Sequence, residues 1–494
     1  MSPPVPHPGV ETVAAIDLGT TGVKGVVLAR SGELLAEYEV GLETRRSEGG
    51  RVEQDPEDWW EALEKLCHAW AGAGVGLGSL RALVLSGQMQ DVVLTRSGEA
   101  VGPALLYADT RAEAEALEVA AILGLDPAEA TGNPHGAASV LPKLLWLKRH
   151  APRMLEGRSR LHVGAKDVLI ERLCGVHVTD HTTAATTGLY DLGGGRWWSG
   201  WCGALGLDLA LPELRWPQEV AGRVSEGAAA WLRLPPGLPV LTGLGDAGAT
   251  TLGAGVSRAG ERYAYLGTTG WLGAVTPLSP VGPEVFRLPL LARGEVLAVA
   301  PLTNAGSAHR WAAETFAGGD FAELERLVEG GAPASVVCLP YLAGERSPVT
   351  DPLARGVFLG IGPQTRAADL ARAVLEGVAY ALRATGGSLG AAPGSEPLTL
   401  LGGGTLSPAW CQIVAEVFGT EVLVPARAAL LPVLGAAFLA FRHLGWVSSF
   451  GEYRGRVLEG QGGARYTPDT GRIERYEAQY GRFQRLYPAV RGLF

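Results

Sequence analysis

Lysine is scarce in this chain: five residues (Lys24, Lys65, Lys143, Lys148, Lys166) among 494, so the 42 basic side chains are almost all Arg. Acidic residues number 51 and the net charge is −9. No Lys/Arg run supplies the basic footprint that nucleic acid requires, which excludes nucleic acid as a main partner. The Arg bias itself reads as GC-rich codon usage and carries no function. Cysteine is equally sparse. Cys67, Cys174, Cys202, Cys338 and Cys411 are scattered, odd in number and without a two-residue metal spacing, which predicts reduced thiols in a reducing compartment. A bilayer-length apolar run is missing too. Ala428 to Phe441 is wholly apolar but only fourteen residues long and carries Pro432 and Gly435, so it reads as a buried helix from about Pro432 with a thin Gly435-Ala436-Ala437 face. Residues 1–10, with four Pro and no Lys or Arg, read as a flexible tail and not as a signal peptide.

Glycine (70) and proline (32) are in excess. At 47% apolar residues the chain is nonetheless too hydrophobic for disorder, and its glycines follow no collagen period. A loop-rich globular protein of roughly two to four domains remains.

Val13 to Ile16 and Val26 to Leu28 flank Asp17-Leu18-Gly19-Thr20-Thr21-Gly22, which predicts a β-hairpin with a Gly/Thr tip. Leu-Gly-Thr-Thr-Gly recurs at Leu266 to Gly270, also after a strand-like run, as if two domains of similar build each opened on the same hairpin. Asp55-Pro56-Glu57-Asp58 predicts a helix start, followed by Trp59, Leu63, Leu66 and Trp70 on one face. Further helices are expected from about Thr365 to Arg383 and along Ile473, Tyr476, Tyr480, Phe483 and Tyr487. Strands at Leu83 to Leu85, Val240 to Thr242, Val336 to Leu339 and Leu398 to Leu401 alternate with them, so the class is α/β.

Asp17 closes a strand just before a Gly-Thr-Thr turn, where backbone N–H groups and hydroxyls can wrap a phosphate while the carboxylate reaches hydrated Mg²⁺. An Asp that only caps the turn fits the same letters. Asp246 lies between glycines ahead of a small-residue run, a position suited to a general base or to a solvated N-cap. Gly402-Gly403-Gly404, then Ser407-Pro408 as N-cap and first helical position, offers either bare backbone for a nucleotide or a plain turn. Gln88, Met89, Tyr107, Asp109 and Arg111 follow strand ends and supply the amide, ring, carboxylate and guanidinium that a polyhydroxylated ligand needs. No Ser/His/Asp elbow and no His metal spacing is present, so hydrolase and zinc readings fall away.

Taken in order, Ile16 to Thr21, Glu53 to Trp60, Ser86 to Met89, Gly245 to Ala247, Gly267 to Thr269, Pro340 to Pro348, Gly356 to Gly360 and Gly402 to Gly404 resemble the FGGY carbohydrate kinases, most closely their xylulokinase-like branch. The resemblance covers nearly the whole chain. It implies two actin-like (ribonuclease H-like) ATPase domains flanking a central cleft. Residues 11–245 would bind sugar and carry the first phosphate loop, and 246–494 would bind nucleotide and end in a helix. It implies Asp246 as the base that deprotonates the attacking sugar hydroxyl, and Asp17 as the Mg²⁺-associated carboxylate. Gly19, Thr20, Thr21, Gly267, Thr268 and Thr269 become phosphate-loop residues, and Gly402, Gly403, Gly404 and Ser407 the adenosine side. Gln88, Met89, Gln90, Tyr107, Asp109 and Arg111 fall on the sugar side. Phosphoryl transfer suits such a site, because its catalysis is mostly positioning and charge stabilisation with water excluded.

Three departures bear on the substrate. Gln90-Asp91 stands where the branch usually has His-Gly, Tyr107-Ala108-Asp109 where it has Trp-Asn-Asp, and Pro432-Val433-Leu434 replaces an acidic lead into the Gly-Ala-Ala helix. The implied activity is ATP- and Mg²⁺-dependent phosphorylation of a ketopentose such as D-xylulose. Another pentulose, a polyol or a different small sugar comes second, and a non-catalytic actin-like nucleotide-binding protein is the remaining alternative. A cytoplasmic protein without nucleic-acid or membrane partners is expected, with a homodimer left open.

Overall fold

The computed structural model describes residues 10–279, 281–389 and 396–494. The tail expected over residues 1–10 lies, apart from Val10, outside them. Contacts divide the chain into two units. The first comprises the residues up to Ser257 with Arg287–Val296 and Ala429–Gly460; the second comprises Arg258–Phe286, Leu297–Ala428 and Gln461–Phe494. The division expected after Gly245 is therefore displaced, since residues 246–257 and 429–460 pack with the N-terminal half.

In the first unit the strands run in the order Val220–Arg223, Pro239–Leu241, Leu80–Gly87, Thr12–Leu18, Gly22–Ala29, Leu34–Gly41, with Leu244–Gly245 also beside Leu80–Gly87. Thr12–Leu18 and Gly22–Ala29 form the predicted antiparallel hairpin, while Leu80–Gly87 runs parallel to Thr12–Leu18. The period of two sends Ala14, Ile16 and Leu18 into a core with Trp59, Leu63 and Trp70. Those aromatics lie on the helix Pro56–Gly72, whose Asp55 side chain caps it by accepting from the Glu57 N–H. Val13, Ala15 and Asp17 alternate with that set, and the helix Leu431–His443 packs against both Thr12–Leu18 and Leu80–Gly87.

The second unit repeats the plan. Its sheet runs Glu295–Leu302, Gly270–Pro277, Arg262–Leu266, Leu398–Leu401, Val422–Pro425, Gly463–Tyr466. An antiparallel hairpin again leads the element, and Leu398–Leu401 again adds parallel to its first strand. The predicted helices appear as Ala367–Ser388, Pro408–Phe418 and Thr470–Val490. Tyr476 and Phe483 of the last one enter the core of this unit. No helix among the described residues is long and apolar enough to cross a membrane, and all five cysteines are unpaired.

The helix Leu431–His443 lies backbone to backbone on the helix Asp246–Gly253. A Cβ at Gly435 would sit 2.0 Å from the Ala249 carbonyl oxygen and 2.5 Å from the Gly253 nitrogen, and one at Gly253 would sit 2.0 Å from the Leu431 oxygen. Backbone cannot yield as a flexible side chain does, so Gly435→Ala must push the helices apart. Overpacking of this kind costs about 1–3 kcal/mol, and the displaced helix begins at Asp246. Gly435→Ala is expected to lower the Tm by several degrees and to reduce turnover, measured by thermal scans and initial rates; an unchanged Tm would show that the crossing has slack.

Candidate active site

Three strands of the first unit end together. Asp17 pairs with Ser86, Leu18 with Gly87, and Gly245 with Gly87, all in parallel register. Ligand sites in parallel sheets form at such carboxyl ends, because helices start there and side chains emerge without further pairing. Asp17 is buried, and its Oδ1 accepts from Ser86 Oγ at 2.6 Å. Burial raises its pKa, opposed by that hydrogen bond and by Lys24 across the hairpin. Asp246 opens the helix Asp246–Gly253 and accepts from the Ala247 N–H at 2.7 Å. Burial, reinforced by the Asp17 charge, pushes its carboxyl up to about 7. Two carboxylates within reach of each other's field at a strand terminus can take a proton and neighbour a divalent cation.

The Gly19-Thr20-Thr21 loop is anchored from below. Thr20 Oγ1 donates to Gln88 Oε1 at 3.1 Å, Gln54 Nε2 donates to the Thr20 carbonyl at 2.6 Å, and Gln88 Nε2 donates to Gln54 Oε1 at 2.9 Å. Trp59 Nε1 also donates to Gln54 Oε1, at 2.9 Å. Gln88, expected on the sugar side, is buried and turned toward the loop, which it supports. Met89 packs against the residue that precedes Asp246: a Cβ on Gly245 would lie 1.9 Å from Met89 Sδ.

Asp109 and Arg111, also expected on the sugar side, bond each other and the neighbouring strand. Asp109 is fully buried; Oδ2 accepts from the Val52 N–H at 2.7 Å and from Arg111 Nη2 at 2.6 Å, while Oδ1 accepts from Arg111 Nε at 2.9 Å. Arg111 reaches Glu53 at 2.6 Å and lies 4.9 Å from the Trp146 ring centroid. These bonds clamp the segment to the strand Arg51–Gln54. Tyr107 remains exposed, with its N–H donating to Asp91 Oδ1 at 3.0 Å.

In the second unit a cavity of about 730 Å³ is lined by Gly267, Thr268, Gly306, His309, Gly403 and Gly404, among others. That volume admits a nucleotide. The Gly306 N–H donates to the Gly267 carbonyl at 2.7 Å and the Ser307 N–H to the Thr268 carbonyl at 3.0 Å, so the loop is tied to the helix Gly306–Phe316. Thr268 and Thr269 are exposed. Gly402 has φ 94°, and a Cβ there would lie 2.5 Å from the Leu266 oxygen, so this turn needs glycine. Ser407 lines the cavity, but its hydroxyl caps the helix Pro408–Phe418 by accepting from the Trp410 N–H at 3.1 Å, and it donates to Glu325.

Sequence reading missed Gln54, Gly306, His309 and Glu325. His309 lies 4.7 Å from Trp410 and 5.0 Å from Phe321 between ring centroids, and burial pushes its pKa down to about 4, so it is a neutral imidazole. Gln54 stands inside the Glu53 to Trp60 motif, where its letters alone assign it no role, and Gly306, His309 and Glu325 lie in none of the motifs.

Comparison with known proteins gives the family of the chain. Residues 12–253 match the N-terminal domain, and residues 263–444 the C-terminal domain, of the FGGY family of carbohydrate kinases. Among curated relatives, the xylulose kinase of Klebsiella pneumoniae is 33% identical over 490 residues, covering 97% of this chain and 99% of that one. The xylulose kinase of Escherichia coli K12 is 33% identical over 487 residues, covering 96% and 98%. Among solved structures, a xylulose kinase from Rhodospirillum rubrum superposes with a TM-score of 0.87 at 27% identity, covering 98% of this chain and 99% of that one. A kinase from Brucella ovis, described as a xyloylose kinase, gives 0.86 at 28%, covering 98% and 100%. The two units define an ATP-dependent sugar kinase with a two-domain, actin-like α/β fold. The chain belongs to the FGGY family of carbohydrate kinases.

The raised pKa of Asp246 has a cost for stability. A carboxyl whose folded pKa lies above its unfolded value favours folding most when protonated, and that contribution is lost as pH rises from the unfolded value of 3.8 to about 7. Asp246→Asn keeps the oxygen that accepts from Ala247 and removes the charge. It is expected to raise the Tm, with a larger gain near pH 8 than near pH 5 in paired thermal scans; equal gains at both would show that ionisation of this group is not the strained step.

Proposed function

We propose that the protein transfers the γ-phosphoryl group of ATP to a hydroxyl of D-xylulose, with Asp246 as general base. The observation that carries this reading is the placement of Asp246 at a helix head beside Asp17 with its carboxyl near pH 7, where a base is half ionised and still basic enough to accept a hydroxyl proton. The names of the relatives, similar over nearly the whole chain, point to the sugar. Met89, Gln90 and Tyr107 would contact the sugar. The loop Gly267–Thr269 and the turn Gly402–Gly404 would hold the nucleotide, with His309 against its base and the Thr268 and Thr269 hydroxyls toward phosphate.

Magnesium suits the acids of the first unit, since Asp17 and Asp246 stand at adjoining ends of parallel strands. Mg²⁺ is commonly held by one or two carboxylates together with waters and phosphate oxygens. Asp17, positioned by Ser86, would hold it, and when bound it neutralises charge developing on the phosphates. Asp246 takes the proton from the attacking hydroxyl, Asp17 keeps its own carboxylate directed by Ser86, and the Thr20 anchors hold the loop beside them.

A panel of ketoses, aldoses, polyols and sugar acids in an ATP-consumption assay tests the substrate, with D-xylulose expected to give the highest kcat/KM. Asp246→Ala is expected to lower kcat by about 10²–10⁴-fold with little change in sugar KM. In the wild-type protein, kcat should fall as pH drops below about 7 and Asp246 becomes protonated. Undiminished turnover by Asp246→Ala would remove it from the role of base, and sugar-independent ADP release alone would remove the kinase assignment for every sugar tested.

A further inference from the structure

The strand Met89–Arg96 pairs antiparallel with Arg160–Gly164, but Met89 to Val93 advances four residues while Gly164 to His162 covers two. The surplus is a bulge that contains Gln90 and Asp91, and Gln90 has φ 65°, a left-handed value uncommon for a residue other than glycine. A bulge strips ladder partners from backbone groups, and two side chains supply replacements here. Lys143, from the helix Val140–His150, donates through Nζ to the Gln90 carbonyl at 3.2 Å and to the Leu106 carbonyl at 2.6 Å. Asp91 Oδ1 accepts from the Tyr107 N–H at 3.0 Å, and its Oδ2 is buried without a hydrogen-bond partner. Both side chains are completely buried.

We propose that Asp91 and Lys143 are a positioning pair for the sugar side of the site: the ammonium holds the Gln90 carbonyl in the bulge, and the carboxylate fixes Tyr107 and supplies the counter-charge that allows the ammonium to be buried. The proposal rests on the reading of Met89, Gln90 and Tyr107 as sugar contacts. Neither residue is assigned a part in the chemical step. A buried charge without a partner is strongly unfavourable, so loss of one member undermines the other. Lys143 faces Asp91, Asp109 and Arg111, and Asp91 faces Lys143, Asp246 and Asp167. Burial lowers Lys143 to about 8 and raises Asp91 well above the carboxylate range, each opposed by the other's charge. Without Asp91 the ammonium loses its main counter-charge and releases its proton at lower pH.

Sugar and ATP kinetics for wild type, Asp91→Asn, Lys143→Gln and the double variant, from roughly pH 6 to 9, test this on whichever sugar the wild type turns over. Each single variant is expected to raise sugar KM about tenfold, with kcat and ATP KM within about twofold of wild type. The rise in Asp91→Asn should steepen with pH, that in Lys143→Gln should stay flat, and the double variant should be no worse than Lys143→Gln alone. A sugar KM for Asp91→Asn within about twofold of wild type at every pH overturns the proposal, and so do equal rises in sugar and ATP KM, the mark of a merely damaged fold. If Asp91→Asn does not accumulate as folded protein, the same sugar-against-ATP split in Lys143→Gln decides. Wild-type preference for a sugar other than D-xylulose counts against the substrate assignment alone, because the variants are read as ratios to wild type.

Discussion

Keeping two carboxylates near each other at the ends of parallel strands is the constraint around which the first unit is organised. Asp17 is fixed by strand register, because its partner in the parallel pair is Ser86 and the hydroxyl of that residue donates to it. Asp246 is fixed by a helix start, and that helix is fixed by contact with Leu431–His443 so close that neither Gly253 nor Gly435 has space for a methyl group. Burial and mutual repulsion oppose the ionised pair. The dense packing below supplies rigidity that such an arrangement needs, since a loosely held pair would separate or take up a proton.

Chain order and spatial order diverge for the same reason. Matched by sequence, the second domain of the family extends through residue 444. Matched by contact, residues 429–460 belong with the first unit, because Leu431–His443 covers the sheet face that carries Asp17 and supports the helix that carries Asp246. A segment distant in sequence therefore completes the support for the proposed base.

Much of this was legible in the letters. The helix at Pro56 announced itself through an Asp cap, a Pro and a four-residue aromatic stripe, and the repeated Leu-Gly-Thr-Thr-Gly correctly marked the opening hairpin of each half. What the pentapeptide could not disclose is register. Leu18 pairs with Val23 in the first copy, whereas Leu266 pairs with Gly270 in the second, a one-residue difference in closure. The surroundings decide it: side-chain amides from Gln54 and Gln88 hold the first turn, and backbone N–H groups of Gly306 and Ser307 hold the second. Asp109 and Arg111 show a related limit. Carboxylate and guanidinium are what a sugar needs, but they are also what a buried clamp needs, and only the Val52 and Glu53 contacts separate the two uses.

Lysine scarcity, set aside as codon bias, acquires structural meaning at two of its five positions. Lys143 and Lys166 are completely buried. Lys166 bridges Asp167 at 2.7 Å and Asp180 at 2.9 Å, and Asp180 in turn accepts from the Thr183 N–H and hydroxyl, whose oxygen lies 3.0 Å from where a Cβ on Gly245 would sit. Lys143 thus connects to Met89 through the adjoining Gln90, and Lys166 connects to Gly245 through Asp180 and Thr183. An ammonium on a flexible stem can direct three protons to separate acceptors in a confined space, whereas the planar guanidinium imposes a fork. In a chain that uses Arg almost everywhere else, Lys suits the geometry of these positions: Lys143 serves two carbonyls that converge on one point, and Lys166 serves two carboxylates that do the same.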